Sequence, residues 1–544
     1  KKLTLSVALA VATVVNAFAC TNLIVGKNAS ADGSTIVSYS ADSYGLFGEL
    51  YHYPAATYPK GTMLKVYEWD TGKYLGEIEQ ARQTYNVVGN MNEYQVTIGE
   101  TTFGGRPELA DSTGIIDYGS LIYIGLQRSR TAREAIKIMT DLVQQYGYYS
   151  EGESFTIADP NEIWIMEMIG KGPGIRGAVW VAVRVPDDCI SAHANQSRIH
   201  QFDMNDKENC MYSPDVVSFA REKGYFNGVN KDFSFSLAYA PLDFGARRFC
   251  EARVWSYFNK FTDNGKDYLP YIEGKTNTPM PLFVKPKHKL SVQDVKDMMR
   301  DHYEGTPLDI SNDFGAGPYK TPYRLSPLNF KVDGQEYFNE RPISTQQSGF
   351  VFVAQMRAHK PDPIGGVLWF GVDDANMAVF TPVYCCATKV PVCYTRVDGA
   401  DYITFSWNSA FWIFNWVSNM VYPRYDLMIG DVREAQKEME TTFNNAQEGI
   451  EEMAAKLLAK DKNAAVDFLT NYTNMTAQST FDTWKRLGEF LVVKYNDGVV
   501  KRMKNGQFER NSIGQPAGVI RPGYPKEFLE EYVKQTGDRY KMPD

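Results

Sequence analysis

Nineteen residues of export-type sequence stand in front of Cys20, and a strand-forming run stands behind it. Lys1 and Lys2 lead an apolar stretch from Leu3 to Val15, which Ala17-Phe18-Ala19 closes with the small-x-small pattern that a signal peptidase cuts. Cleavage after Ala19 makes Cys20 the first residue of the mature chain, a thiol beside a free α-amine. An α-amine titrates at roughly 8, so it serves as a base near neutral pH. Thr21 to Val25 then reads as a short strand, and Asp32-Gly33 is a hairpin-type turn signal before the strand run Thr35 to Ser40. A buried N-terminal strand carrying a catalytic first residue fits this pattern. Two other readings of Cys20 stay open: an incidental cysteine, and the attachment site of a lipoprotein. Lipoprotein signals usually place Leu three residues before the cysteine, where this chain has Ala17.

Cleavage leaves 525 of the 544 residues and moves the formal net charge from −8 to −10, since Lys1 and Lys2 depart. That is more chain than one small core needs, so one large elaborated domain with an appendage, or two domains, is expected. The acidity, with no basic stretch interleaved with aromatics, disfavours nucleic acid. Ile403 to Val421 is the most apolar stretch of the mature chain, but Asn and Ser interrupt it. It reads as a buried or interfacial segment, and no membrane span is expected. Beside Cys20 stand Cys189, Cys210, Cys250, Cys385, Cys386 and Cys393, an even number compatible with disulfides. Neither these nor the six scattered histidines have metal-site spacing, so no metal and no cofactor is expected.

Further strands are expected at Tyr94 to Ile98, Ser154 to Ile157, Glu162 to Met168, Ala178 to Val185, Val351 to Gln355 and Gly366 to Gly371. Thr131 to Tyr146 reads as a helix with Thr131 and Glu134 as a capping box, and Gly147 as its stop. Val292 to Tyr303 reads as a second helix, capped by Ser291 with Asp294. From about residue 425 the sequence becomes charged with helical periodicity, over Asp431 to Lys462 and Ala464 to Tyr495.

A set of motifs, in order, resembles the secreted cysteine-type dipeptidases, N-terminal-nucleophile hydrolases related to penicillin V acylase and bile salt hydrolase. They are Cys20-Thr21-Asn22, Ala31 to Thr35, Gly89 to Glu93, Ile98 to Arg106, Ile157 to Pro160, Ala192 to Ile199 and Arg300 to Thr306. The resemblance runs from residue 20 to about 385. It implies an α+β fold, the four-layer αββα sandwich of N-terminal-nucleophile hydrolases over residues 20–424. A mainly helical C-terminal portion, 425–544, would pack on it. It implies a secreted or periplasmic enzyme acting on small peptides, free to form a homo-oligomer.

The resemblance also suggests site residues. Cys20 is the nucleophile, with its own amine as base. Asp42 aligns with a carboxylate near the nucleophile, and Asn195 with an oxyanion-hole residue. Arg248, in an Arg-Phe pair, aligns with an arginine near the thiol. Thr102 stands where related acylases have a second Asn. Those acylases carry Arg three residues before the aspartate, where this chain has Tyr39, so the charge around the thiol differs. A dipeptidase must hold a free substrate ammonium, and Glu100 is the candidate acid. Three alternatives compete: a papain-like set of Cys20, His193 and Asn195; an acylase acting on N-acyl amino acids or conjugated bile acids; and a lipid-anchored binding protein without activity. The first lacks the local papain signature, and His193 and Asn195 lie too close together in sequence for it.

Overall fold

The computed structural model describes residues 20–543, so the signal segment expected over 1–19 lies outside the described residues. Two antiparallel sheets lie at the centre. The first has six strands in the order Ile190–His193, Asn22–Val25, Thr35–Asp42, Ser348–Met356, Val367–Val372 and Thr381–Tyr384. The second has eight, in the order Cys210–Tyr212, Ala178–Arg184, Ile163–Gly170, Gly152–Ala158, Thr97–Gly104, Met91–Asn92, Val87–Val88 and His52–Tyr53. All eight residues of Thr35–Asp42 are buried. Covered on both faces, such a strand shows no polar alternation, and its polar members find partners on other elements: Thr35 donates to the Asp159 carbonyl, Ser38 accepts from the Leu23 amide and Tyr39 donates to Glu100.

The sheets meet beside Cys20. The Asn22 side-chain amide donates to the Glu100 carbonyl at 2.8 Å. At Gly99 a Cβ would stand 2.4 Å from Asn22 Oδ1, so only glycine permits this approach.

Alternate residues of the second sheet face opposite ways. Phe155, Ile157, Trp164 and Met166 join Leu121, Ile124, Met139 and Val143 of helices Tyr118–Arg128 and Ala132–Tyr146 in one core. Ile165 and Ile169 point into the larger core instead. There they meet the six-stranded sheet, helices Ala252–Phe261 and Val292–Met299, and the C-terminal helices.

The elements depart from the expected bounds for local reasons. The strand expected at Tyr94 begins at Thr97, because Gln95 takes a left-handed φ of 64° and Asn92 Oδ1 accepts from the Tyr94 and Val96 amides. The helix after Ser291 carries both halves of its capping box but ends at Met299, and Tyr303 adopts φ 66°. Thr131 caps its helix, whereas the Glu134 carboxylate takes the Arg130 amide, so the box there is half made. Ile403 to Val421 divides into an exposed loop and helix Ala410–Val421, whose Phe411, Ile413, Phe414 and Val417 are buried. No described helix is long and apolar enough to cross a membrane. All seven cysteines are free thiols, so the pairing that their even number allows is not formed here.

Helices Tyr425–Leu458 and Lys462–Tyr495 make the helical C-terminal part. Buried ion pairs fasten the first of them: Arg300 to Glu440 at 2.5 Å, and Arg357 to Glu451 at 2.6 Å. Burial pushes the Glu440 carboxyl up, but Arg300 and Lys296 outweigh it and hold it below the usual range. Glu440→Ala should lower stability at pH 7 by about 3–5 kcal/mol in a urea titration, because Arg300 and Lys296 lose their counter-charge. A depressed carboxyl stabilises above its unfolded-state pKa and fades as pH falls through the folded value. The gap between variant and wild type should therefore close in acid.

Candidate active site

Cys20 sits at the head of strand Asn22–Val25, flanked by the Thr35–Asp42 strand, which Thr21 bridges at Ser40. Its thiol is buried and donates to Glu100 Oε1 at 3.4 Å, with the Tyr39 hydroxyl 3.7 Å away. Tyr39 donates to the same Glu100 oxygen at 2.6 Å. Thiol, phenol and carboxylate thus form one closed cluster. Burial pushes the Cys20 thiol well up, and the Glu100 and Asp42 carboxylates add to this. With no cation at its sulfur, this thiol needs an external base to ionise.

Glu100 and Glu153 are buried together, and a hydrogen bond joins their two carboxyl groups. Burial, then the neighbouring Glu100, pushes the Glu153 carboxyl well up, so Glu153 keeps its proton beside Glu100. Thr102 donates to Glu153 Oε1 at 2.6 Å, and its carbonyl accepts from the Asn195 amide at 2.8 Å. Thr102 is therefore a link between Glu153 and Asn195.

Asp42 is fully buried and accepts from Arg341 at 2.6 Å, Ser348 at 2.5 Å and Ser40 at 3.0 Å. It lines the same cleft as Cys20 with its charge balanced. Asn195 holds a left-handed φ of 65°, and its Oδ1 accepts from Arg253 at 2.9 Å. One N–H of its amide remains for another acceptor.

Arg248 does not take the place that the sequence resemblance gives it. Its guanidinium pairs with Glu340 and lies over the Phe338 ring. The arginine that touches Cys20 is Arg253, five residues on, at the start of helix Ala252–Phe261. Arg253 donates to the Cys20 carbonyl at 2.6 Å, Thr21 Oγ1 at 2.8 Å and the Ala194 carbonyl at 3.0 Å, besides Asn195. Arg248 has a carboxylate of its own, whereas Arg253 meets only neutral acceptors, which is why it reaches toward the strand ends. An arginine inside the otherwise apolar run Ala252-Arg253-Val254-Trp255 was the available signal. Glu153, inside a strand with every residue buried, was a second one.

His193 is buried between Thr101 Oγ1 at 2.7 Å and Thr156 Oγ1 at 2.6 Å, both ring nitrogens occupied. Burial, aided by Arg198, pushes it down to about 3, so it stays neutral. That removes the papain-like arrangement, since no ring nitrogen is available to Cys20. Among the described residues no group of three or more His, Cys, Asp or Glu is arranged to hold a metal ion.

Cys20 reaches an open cleft. Tyr51, Tyr53, Trp69, Tyr118, Tyr123 and Phe350 form its walls, an aromatic lining with few polar groups. Glu100 lies behind the thiol and is not part of that lining.

The profile of peptidase family C69 matches residues 19–52 and 47–438. The chain belongs to peptidase family C69. The matched span holds both sheets and every residue of the site just described, and most of the C-terminal helix pair lies beyond it. Among curated relatives of this C69 chain, a "Probable dipeptidase" of Salmonella dublin is 30% identical over 386 residues, 67% of this chain and 81% of the relative. A "Probable dipeptidase" of Latilactobacillus sakei is 26% identical over 433 residues, 75% and 82% of the two chains. "Dipeptidase A" of Lactobacillus helveticus is 23% identical over 418 residues, 72% and 80% of the two chains.

Proposed function

We propose that this C69 peptidase hydrolyses dipeptides, with Cys20 as its N-terminal nucleophile. The observation that carries the reading is a buried thiol, held by the Glu100 carboxylate and with no cation at its sulfur among the described residues, opening a central strand at an aromatic cleft. Such a thiol is inert until its own nitrogen becomes a free amine. In the mechanism we infer, the Cys20 amine accepts the thiol proton, directly or through water. The thiolate attacks the peptide carbonyl, the same amine protonates the leaving nitrogen, and water cleaves the thioester. Asp42 stabilises the ammonium form of Cys20. Asn195, held by Arg253 and Thr102, offers its remaining N–H to the oxyanion. Arg253 acts as a positioning residue in place of Arg248.

The same reading makes residues 20–424 a four-layer αββα hydrolase domain with residues 425–544 packed on it. Export, with removal of residues 1–19, places the enzyme in the periplasm or outside the cell. Support comes from the strand position of Cys20, the helices on both sheets and the C69 membership.

The test compares precursor and processed protein. While Cys20 nitrogen is in peptide linkage, the thiol should react with iodoacetamide at pH 7 at least about 10-fold more slowly than in the processed protein, and dipeptides such as Ala-Ala should not be cleaved. Processed protein should cleave them and carry a thioester-mass adduct on Cys20 in single-turnover quenching. A mature protein with a diacylglyceryl-blocked Cys20, or one that cleaves fatty-acyl amides in preference to dipeptides, would overturn the reading.

A further inference from the structure

The cleft lining carries two acidic residues and no Lys, Arg or His. Asp42 is balanced by Arg341. Asp70 forms no ion pair among the described residues, although it lies in the same cleft as the nucleophile. Asp70 stands at the exposed mouth of the cleft beside its aromatic walls, where a carboxylate without a counter-charge is open to a cationic ligand.

Asp70 is also held in place. It belongs to the tip of a hairpin formed by strands Met63–Tyr67 and Tyr74–Glu79. The tip closes with the Glu68 amide on the Lys73 carbonyl at 2.8 Å and Gly72 at φ 70°. Its neighbour Trp69 docks on helix Tyr118–Arg128. The Trp69 amide donates to Asp117 Oδ2 at 2.9 Å, and the indole lies where a Cβ at Gly119 would stand 2.4 Å from it. The indole also packs edge-on to Tyr51, with centroids 4.7 Å apart. The Tyr118 hydroxyl then donates to Asp70 Oδ1 at 3.0 Å. One carboxylate oxygen is fixed by a neutral donor, and no ion pair engages the other.

From this placement we propose that Asp70 receives the free α-ammonium of the substrate's first residue, whose side chain rests among Tyr51, Trp69 and Tyr123. The inference rests on the dipeptidase reading and deepens it by naming the end of the peptide that enters the cleft. A lining without cations gives a substrate carboxylate no partner. The peptide therefore enters amine first, and the leaving amino acid, with its carboxylate, stays outside this lining. Asp70 takes over the recognition that the sequence suggested for Glu100, which is engaged with Cys20 and Tyr39 behind the thiol.

The experiment measures kcat/KM of processed wild type, Asp70→Asn and Asp70→Glu on a dipeptide and its N-acetyl derivative. Wild type should prefer the free amine strongly. Asp70→Asn should lose about 10- to 100-fold on the free dipeptide, mainly through KM, since a charged hydrogen bond is removed. Its rate on the N-acetyl substrate should fall by a much smaller factor than its rate on the free dipeptide, and Asp70→Glu should recover part of the preference. Equal Cys20 alkylation rates and melting temperatures in all three proteins establish that the site is intact. An Asp70→Asn protein with the wild-type ratio of free to acetylated rates overturns the role of Asp70 while leaving the dipeptidase reading standing. A wild type that cleaves neither substrate overturns the dipeptidase reading and this inference with it.

Discussion

Cys20→Ala, correctly processed, should lose about 10⁴- to 10⁶-fold in kcat/KM on dipeptides, the range seen when an activated nucleophile is removed. The loss should be nearly complete because no other group around the cleft can replace the thiol. Glu100 and Tyr39 both face Cys20, but burial pushes both groups up, and Tyr39 already donates to Glu100. His193, the histidine placed nearest in sequence to Asn195, is locked between two threonine hydroxyls. The variant should stay folded, since only one sulfur is removed and the strand pairing of Asn22 to Val25 with Ile190 to His193 is unaffected. Intact mass and N-terminal sequencing check processing, and a continuous amine-release assay reads the rate. Residual activity within about 10-fold of wild type would move the chemistry to another nucleophile.

Arg253→Met should produce the second large effect, and it should act on folding and turnover together. The guanidinium is buried and donates to the carbonyls of Cys20, Ala194 and Phe249, to Thr21 Oγ1 and to Asn195 Oδ1. Methionine fills the stem but leaves these acceptors without donors. Each stranded buried acceptor costs about 1–3 kcal/mol before relaxation, so a net loss of about 3–5 kcal/mol is expected in denaturant titration. Burial, with Arg341 adding, pushes the guanidinium down only to about 10, so the donor set is intact at neutral pH. Turnover should fall by about 10²- to 10³-fold at temperatures where the variant is fully folded, since Asn195 loses the bond that orients it. The fall should appear in kcat with KM little changed. A variant that is destabilised yet turns over normally when folded would confine Arg253 to a structural role.

The elements legible in the sequence are those whose cause is local. Thr131 and Gly147 bracket a helix through a side-chain cap and a glycine at positive φ, and Ser291 with Asp294 marks the start, though not the end, of helix Val292–Met299. The long charged helices are equally visible, because their periodicity is written into consecutive residues. Cys20 was legible because the residues in front of it have the pattern expected of an export signal that ends at Ala19. What stayed hidden depends on tertiary approach. Glu100 and Cys20 are 80 positions apart, and their contact exists because Gly99 lets one sheet come up to Asn22 of the other. Arg248 lies within the irregular turn Ala246–Glu251 and Arg253 just after it, and nothing local says which faces Glu340 and which faces the strand ends. Asp70 sits in a turn whose Asp-Thr-Gly composition reads as ordinary loop chemistry. Only the docking of Trp69 on Gly119 gives it a place in the cleft.

The hairpin of residues 63–79 pairs only with itself and joins neither of the two large sheets. Rim and framework are consequently separate inheritances. Loop length and tip charge can be altered there without touching the strands that align Cys20, Tyr39 and Glu100, whereas Trp69 is fixed by its fit over Gly119. A lineage of such enzymes can diversify what it admits without rebuilding what it does, and a library confined to Glu68 and to Asp70 through Lys73 explores that diversity with little risk to the fold.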